Sequence, residues 1–290
     1  TIVYRTDTST GRLSLRSRLG AEQRLLDDKN VFYDLRVSGD GNRAAVSVVS
    51  RATGLADIWI YDLLRGVRER FTTEPWHEVT PVWSPDSTYI VYSEAAGGTL
   101  PHLVRRMLSG SSSQQVISPT SFQFAGSFSP DGQTLFYSEE TANNRDDVFR
   151  LDMRTGKSER VLDSSFSEVE PNVSPDGRWL AYESDVTGQY EIYLLDLTAT
   201  EQLRIRISSD GGSSPRWRHD GRELFLVGPG GKLMSAVPGA RGWNDVVVKE
   251  LFRLPDMKGF DVLPDGQSFL VMQGSAGPSD FLFHILLSGG

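Results

Sequence analysis

The sequence predicts an all-β fold, a β-propeller of four-stranded antiparallel blades. Three observations carry that expectation. An aspartate recurs in one short turn six times, at Asp40, Asp86, Asp131, Asp176, Asp220 and Asp265, with intervals of 46, 45, 45, 44 and 45 residues. Apolar runs of period two flank the turns, as in Pro81-Val82-Trp83 before Asp86 and Tyr89-Ile90-Val91-Tyr92 after it. A third apolar run and a weaker fourth follow at regular distances, so each unit reads as strands a, b, c and d. A four-stranded sheet cannot bury both faces alone, and a period in the forties makes it stack on copies of itself around a ring.

Each element has a local cause. In Ser129-Pro130-Asp131-Gly132 and Ser174-Pro175-Asp176-Gly177, proline presets φ, aspartate bonds its own backbone further on, and glycine takes the positive φ that closes the hairpin. All six aspartates are therefore expected to be structural. Strand c is read at Ile58-Trp59-Ile60-Tyr61, Val148-Phe149-Arg150-Leu151 and Ile192-Tyr193-Leu194-Leu195. A polar turn such as Asp152-Met153-Arg154-Thr155-Gly156-Lys157 then leads to strand d, as in Glu159-Arg160-Val161-Leu162.

The ends decide the blade count. Ile2-Val3-Tyr4, Leu13-Ser14-Leu15 and Arg24-Leu25-Leu26 read as strands b, c and d with no turn aspartate ahead of them. The chain finishes on an a-b-c set at Phe260-Asp261-Val262, Phe269-Leu270-Val271 and Phe281-Leu282-Phe283. Five complete blades and two partial ones give seven, the first expectation; merging the terminal pieces into one blade gives six.

Composition fits a single domain over residues 1–290, expected to be part of a larger protein. With 38% hydrophobic and 10% aromatic residues the chain has ample material for a core. A net charge of −8 argues against nucleic acid as a partner. No apolar run reaches the 18 or so residues of a membrane span, so no membrane insertion is expected of this segment. The absence of cysteine removes disulfides, thiolate metal sites and a cysteine nucleophile.

The Ser-Pro-Asp-Gly turns, Ile58-Trp59-Ile60-Tyr61-Asp62-Leu63, and Pro215-Arg216-Trp217-Arg218-His219-Asp220-Gly221 resemble TolB-like (WD40-like) propeller repeats. The final stretch, Phe260 to Val271, resembles the C-terminal sensor propeller of certain bacterial serine/threonine protein kinases and of some winged-helix regulators. The resemblance implies an extracytoplasmic or regulatory binding module. No kinase or DNA-binding motif lies within the chain.

In an a-b-c-d blade the d–a and b–c loops share one face, and the aspartate and c–d turns share the other. The loop face varies in sequence, which is where a rigid scaffold places recognition. Candidate residues at the channel mouth are Tyr33, Asp34, Trp76, His77, Glu78, Phe122, Gln123, Phe124, Glu168, Glu170, Ser213 and Lys258. Aromatics there would anchor a protein, peptide or small ligand while carboxylates steer basic partners. Core aromatics and solvated carboxylates are the plain alternative. Glu78, Glu168 and Glu170 would hold a cation only if their oxygens converged.

Catalytic patterns mostly fail. No Gly-x-Ser-x-Gly elbow occurs. Thr155-Gly156-Lys157-Ser158 imitates the end of a phosphate loop, but Leu151 occupies the first glycine position. His77, His102, His219 and His284 have no ligand spacing. Asn172-Val173-Ser174 matches a glycosylation sequon on an inner strand with no room for a glycan. His77 with Glu78 is the one acid/base pair to test. The expectation is a noncatalytic binding propeller without metal or cofactor, on the periplasmic or extracellular side of a membrane-anchored signalling protein, with a cytoplasmic protein as the alternative. The other reading is a lyase- or cyclase-type enzyme acting at the mouth.

Overall fold

The computed structural model describes residues 11–274, apart from 111, 119, 142–144, 163 and 201–202, and apart from the side chains of 27–29. Within them the chain is all strand and turn. β1 (Gly11–Ser17) and the first half of β2 (Glu22–Val37) belong to the last blade. The second half of β2 opens blade 1 with β3 (Arg43–Val49), β4 (Ala56–Asp62) and β5 (Val67–Arg70). Blade 2 is β6 (His77–Trp83), β7 (Tyr89–Ala95), β8 (His102–Met107) and β9 (Ser113–Gln115). Blade 3 is β10 (Gln123–Phe128), β11 (Thr134–Thr141), β12 (Arg145–Asp152) and β13 (Ser158–Arg160). Blade 4 is β14 (Glu168–Val173), β15 (Trp179–Ser184), β16 (Glu191–Asp196) and β17 (Arg204–Arg206). Blade 5 is β18 (Ser213–Trp217), β19 (Leu224–Gly228), β20 (Lys232–Gly239) and β21 (Gly242–Arg253). Blade 6 begins with β22 (Met257–Val262) and β23 (Ser268–Gln273).

The ring closes on six blades, the second of the two expected counts rather than seven. β23 pairs antiparallel with β1 from Arg12↔Gln273 to Ser17↔Ser268, and β1 pairs with the first half of β2. The C-terminal strands supply a and b of blade 6, and the N-terminal strands supply c and d. Both partial sets are used up in one sheet, which removes two open edges at once. The expected strands at 2–4 and 281–283 lie outside the described residues.

Six apolar layers fill the six seams. Phe32, Leu35 and Tyr61 of blade 1 meet Leu13, Leu270 and Met272 of blade 6, and Phe225 and Leu233 of blade 5 meet Phe260 and Phe269. Polar groups cross the same seams. The Trp83 indole donates to the Arg36 carbonyl at 2.9 Å and the Trp217 indole to the Asn172 carbonyl at 3.0 Å. The backbone N–H of Val37 donates to Asp261 Oδ2 and that of Val173 to Ser127 Oγ.

The aspartate turns form as the sequence predicts. Each carboxylate accepts the N–H two residues on, from Asn42, Thr88, Gln133, Arg178, Arg222 and Gln267. In the first four blades the turn serine also donates to that carboxylate. Ser87 takes the left-handed conformation, φ 55°, that glycine takes in the other turns. Thr155-Gly156-Lys157-Ser158 is a c–d turn, with Asp152 Oδ1 accepting the N–H of Arg154 and Thr155.

Candidate functional site

Strand a of every blade carries a bulge within two residues of the same place, where the register skips between Phe32 and Leu35, Val79 and Val82, Ala125 and Ser127, Val169 and Asn172, Ser213 and Arg216, and Met257 and Gly259. Thr80, Glu170 and Ser214 hold φ of 50–54° at this point. A bulge re-aims the side chains beside it. Here it turns charged groups of blades 1, 4 and 5 into the axis of the ring.

Arg36 of blade 1 bonds Asp34 at 2.8 Å and reaches Glu170 of blade 4, the opposite blade, at 3.3 Å. Arg216 of blade 5 reaches the same Glu170 oxygen at 3.4 Å. The arginine side chains are 8% and 5% exposed, whereas Glu170 keeps 30%. Burial works to raise the Glu170 carboxyl, but Arg36 and Arg216 outweigh it and hold that group below the ordinary carboxylate range. Burial raises Asp34 with only partial relief from Arg36. Burial, with the Glu170 charge adding to it, also raises Glu183, whose carboxylate accepts the Ser214 N–H at 2.7 Å. The channel is thus crossed by an ion cluster.

Eight of the twelve predicted mouth residues fall into three groups. Asp34 and Glu170 belong to this cluster. Tyr33 packs with Val79 and Ala56, and Phe124 lies against them, a half-ring of apolar side chains from blades 1 to 3. Trp76, Phe122, Ser213 and Lys258 are half-buried on the loop face.

Glu78, Gln123 and Glu168 correct the expectation, because they are buried in seams rather than open at the mouth. Glu78 accepts from Thr72, whose hydroxyl in turn takes the Ile58 N–H. Glu168 accepts from Ser164 and Arg204, and Gln123 donates to Glu139. A carboxylate in a strand beside a loop can serve the fold by gathering such donors, and that is their use here. The three glutamates Glu78, Glu168 and Glu170 do not converge, and among the described residues no group of three or more acidic or histidine side chains is placed to hold a metal ion.

The His77–Glu78 pair does not form either. His77 Nδ1 accepts the Ala56 N–H at 3.0 Å, with the ring edge-on to Tyr33. Burial lowers His77 to about 4 and raises Glu78 to about 8, so both are neutral at pH 7. His102 is buried with Nδ1 at the Leu100 carbonyl, and His219 is exposed in its turn. His284 lies outside the described residues.

Sequence reasoning missed Arg36, Arg216, Asp261 and Glu183. Aligning the repeats on the turn would have found the first three. They stand two residues before it, where the other blades place Val82, Ser127 and Asn172. It also passed over Leu100, Val186 and Tyr190 on the outer loop face, which with Phe166 of the β13–β14 loop are 36–41% exposed. Backbone bonds stitch these loops together: Gln123 to Pro101, Glu140 to Phe122 and Asp185 to Ser167.

A family profile described as the TolB beta propeller domain matches residues 79–237. No curated protein matches the chain. Among solved structures, a TolB-type protein of Agrobacterium tumefaciens superposes with a TM-score of 0.76 at 18% identity, covering 92% of this chain and 99% of that one. TolB from Acinetobacter baumannii gives 0.66 at 15%, covering 96% and 67%. An oligogalacturonate lyase from Vibrio parahaemolyticus gives 0.59 at 14%, covering 88% and 80%. At these identities the likenesses establish the fold.

Proposed function

We propose, from the premise that the chain belongs to the TolB beta propeller domain family, that this propeller is a noncatalytic binding module that engages a protein partner with its loop face. It serves in this reading as the interaction or sensor domain of a larger bacterial signalling protein, on the periplasmic or extracellular side. One observation carries the proposal. Leu100 of blade 2, Phe166 of the loop between blades 3 and 4, and Val186 and Tyr190 of blade 4 stay exposed on one face, on loops that hydrogen bonds link from blade 2 to blade 3 and from blade 3 to blade 4. Exposed apolar side chains gathered on neighbouring loops of one face are the kind of surface that interaction sites use. The opposite face exposes aliphatic residues and methionine at the turns of separate blades, Leu19, Leu64, Val67, Met107 and Leu203, and among the described residues no large aromatic.

The test is site-specific photo-crosslinking in the full-length protein in its host cell. A benzophenone side chain at position 166 or 190 should give a discrete protein adduct, and the same probe at position 19 or 64 should not. Adducts from 19 and 64 alone, or cleavage of an acidic oligosaccharide by the chain itself, would overturn the reading.

A further inference from the structure

The loop face of blades 3 and 4 has a charge pattern that the fold does not need. In the β11–β12 ladder Glu140 stands directly opposite Asp146, and Glu139 directly opposite Asp147. Like charges facing each other across a ladder are destabilising. The second pair is compensated: Asp147 takes Thr141 and Arg160, and Glu139 takes Thr120, Gln123 and Tyr137. Glu140 and Asp146 gain no counter-ion among the described residues. The adjacent Arg145 turns its guanidinium to the Ser165 carbonyl. Burial, with Glu140 and Asp147 adding to it, pushes Asp146 up to about 6, and burial raises Glu140 as well.

Asp146 sits near the exposed Tyr190, and Glu140 beside the half-buried Phe122. The Glu140 N–H donates to the Phe122 carbonyl. Phe166 lies between Ser165, which takes Arg145, and Ser167, whose N–H donates to Asp185 at 2.9 Å. Burial raises the Tyr190 phenol, and the charges of Asp185 and Asp146 add to that rise, so Tyr190 shares the neighbourhood of both. Exposed aromatics and an uncompensated carboxylate pair thus share these loops, with a like-charge strain that an arriving positive charge would relieve.

We infer that these loops form a docking site for a cationic, apolar segment of a partner protein, with aromatic or aliphatic side chains seated on Phe166 and Tyr190 and lysines or arginines against Glu140 and Asp146. The inference rests on the proposed binding role of this face and names the chemistry of its partner. The apolar contacts supply affinity, and the carboxylates supply orientation and a faster encounter.

The probe is a short fluorescein-labelled peptide alternating Lys with Phe or Leu, compared by anisotropy with versions carrying Ser or Glu in place of Lys. The cationic peptide should bind the intact chain at least about tenfold more tightly than the serine version. Phe166→Ser with Tyr190→Ser should lose about tenfold or more of that affinity. Glu140→Gln with Asp146→Asn should lose most of the preference for lysine and flatten the salt dependence. The second variant should also melt no lower than the parent, because it removes a repulsion; an unfolded protein therefore cannot mimic the expected result. Leu19→Ser with Leu64→Ser, on the opposite face, should bind as the parent does.

No binding of the cationic peptide, equal binding of the serine version, or full affinity in the Glu140→Gln/Asp146→Asn variant would overturn the inference. If that variant still gives the crosslinked adduct from position 166, the binding face stands and only its cationic partner falls. If adducts come only from positions 19 and 64, the binding role itself falls.

Discussion

Glu170→Gln is the sharpest perturbation of the ring, since one carboxylate oxygen serves arginines from two other blades. At about 3.4 Å and an effective dielectric near 20, each contact is worth about 5 kcal/mol of Coulomb energy before desolvation. Much of that is offset, because a neutral glutamine needs less hydration than the carboxylate it replaces, and the 30% exposure of Glu170 lets channel water screen the pair. Arg36 keeps its hydrogen bond to Asp34, whereas among the described residues Arg216 keeps as hydrogen-bond partner the carbonyl of its neighbour Pro215, with the charges of Asp261 and Asp34 farther off. Breaking a buried pair by removing one partner costs about 3–5 kcal/mol, and the open channel lowers this to roughly 2–4 kcal/mol. The assay is equilibrium urea unfolding at neutral pH, with the loss read from the midpoint at unchanged slope. The Glu170 carboxyl lies below its unfolded value of 4.5, so its contribution is full above that pH and fades as pH falls through the folded value. A loss under about 0.5 kcal/mol would refute the reasoning, since it would mean that water solvates the arginines as well as Glu170 does.

Glu78→Gln should act with the opposite pH sign. Its folded value of about 8 stands above the unfolded 4.5, so the fold holds the extra proton and loses stability as pH rises between them; the variant should gain on the order of 3 kcal/mol relative to the parent from pH 5 to pH 9, and a parallel pH profile would contradict this. Ser87→Gly relieves a left-handed serine and should raise stability by about 0.5–1 kcal/mol in the same unfolding assay, net of the added chain entropy. Deleting residues 1–27 strips β23 of its partner β1 and should give aggregation in sedimentation, whereas a stable monomer would show the N-terminal strands to be dispensable.

The fold was legible because its determinants are local and repeated. Six aspartate turns fix six a–b hairpins whatever the rest of the chain does, and each carboxylate was found bonding its own turn. The blade number was not local, since it depends on whether β1 finds β23 across the whole length of the chain. The site was less legible for a related reason. Glu78 and Asp146 are both carboxylates at strand ends on the same face, and sequence offers nothing to rank them. What separates them is a partner. Glu78 has the Thr72 hydroxyl from the preceding loop, whereas Asp146 faces Glu140 across the ladder. Position in the period told which face a residue would serve. Only the neighbouring blade and the opposing strand decide whether its charge is consumed by the fold or left for a partner, and Glu140 and Asp146 are where it is left.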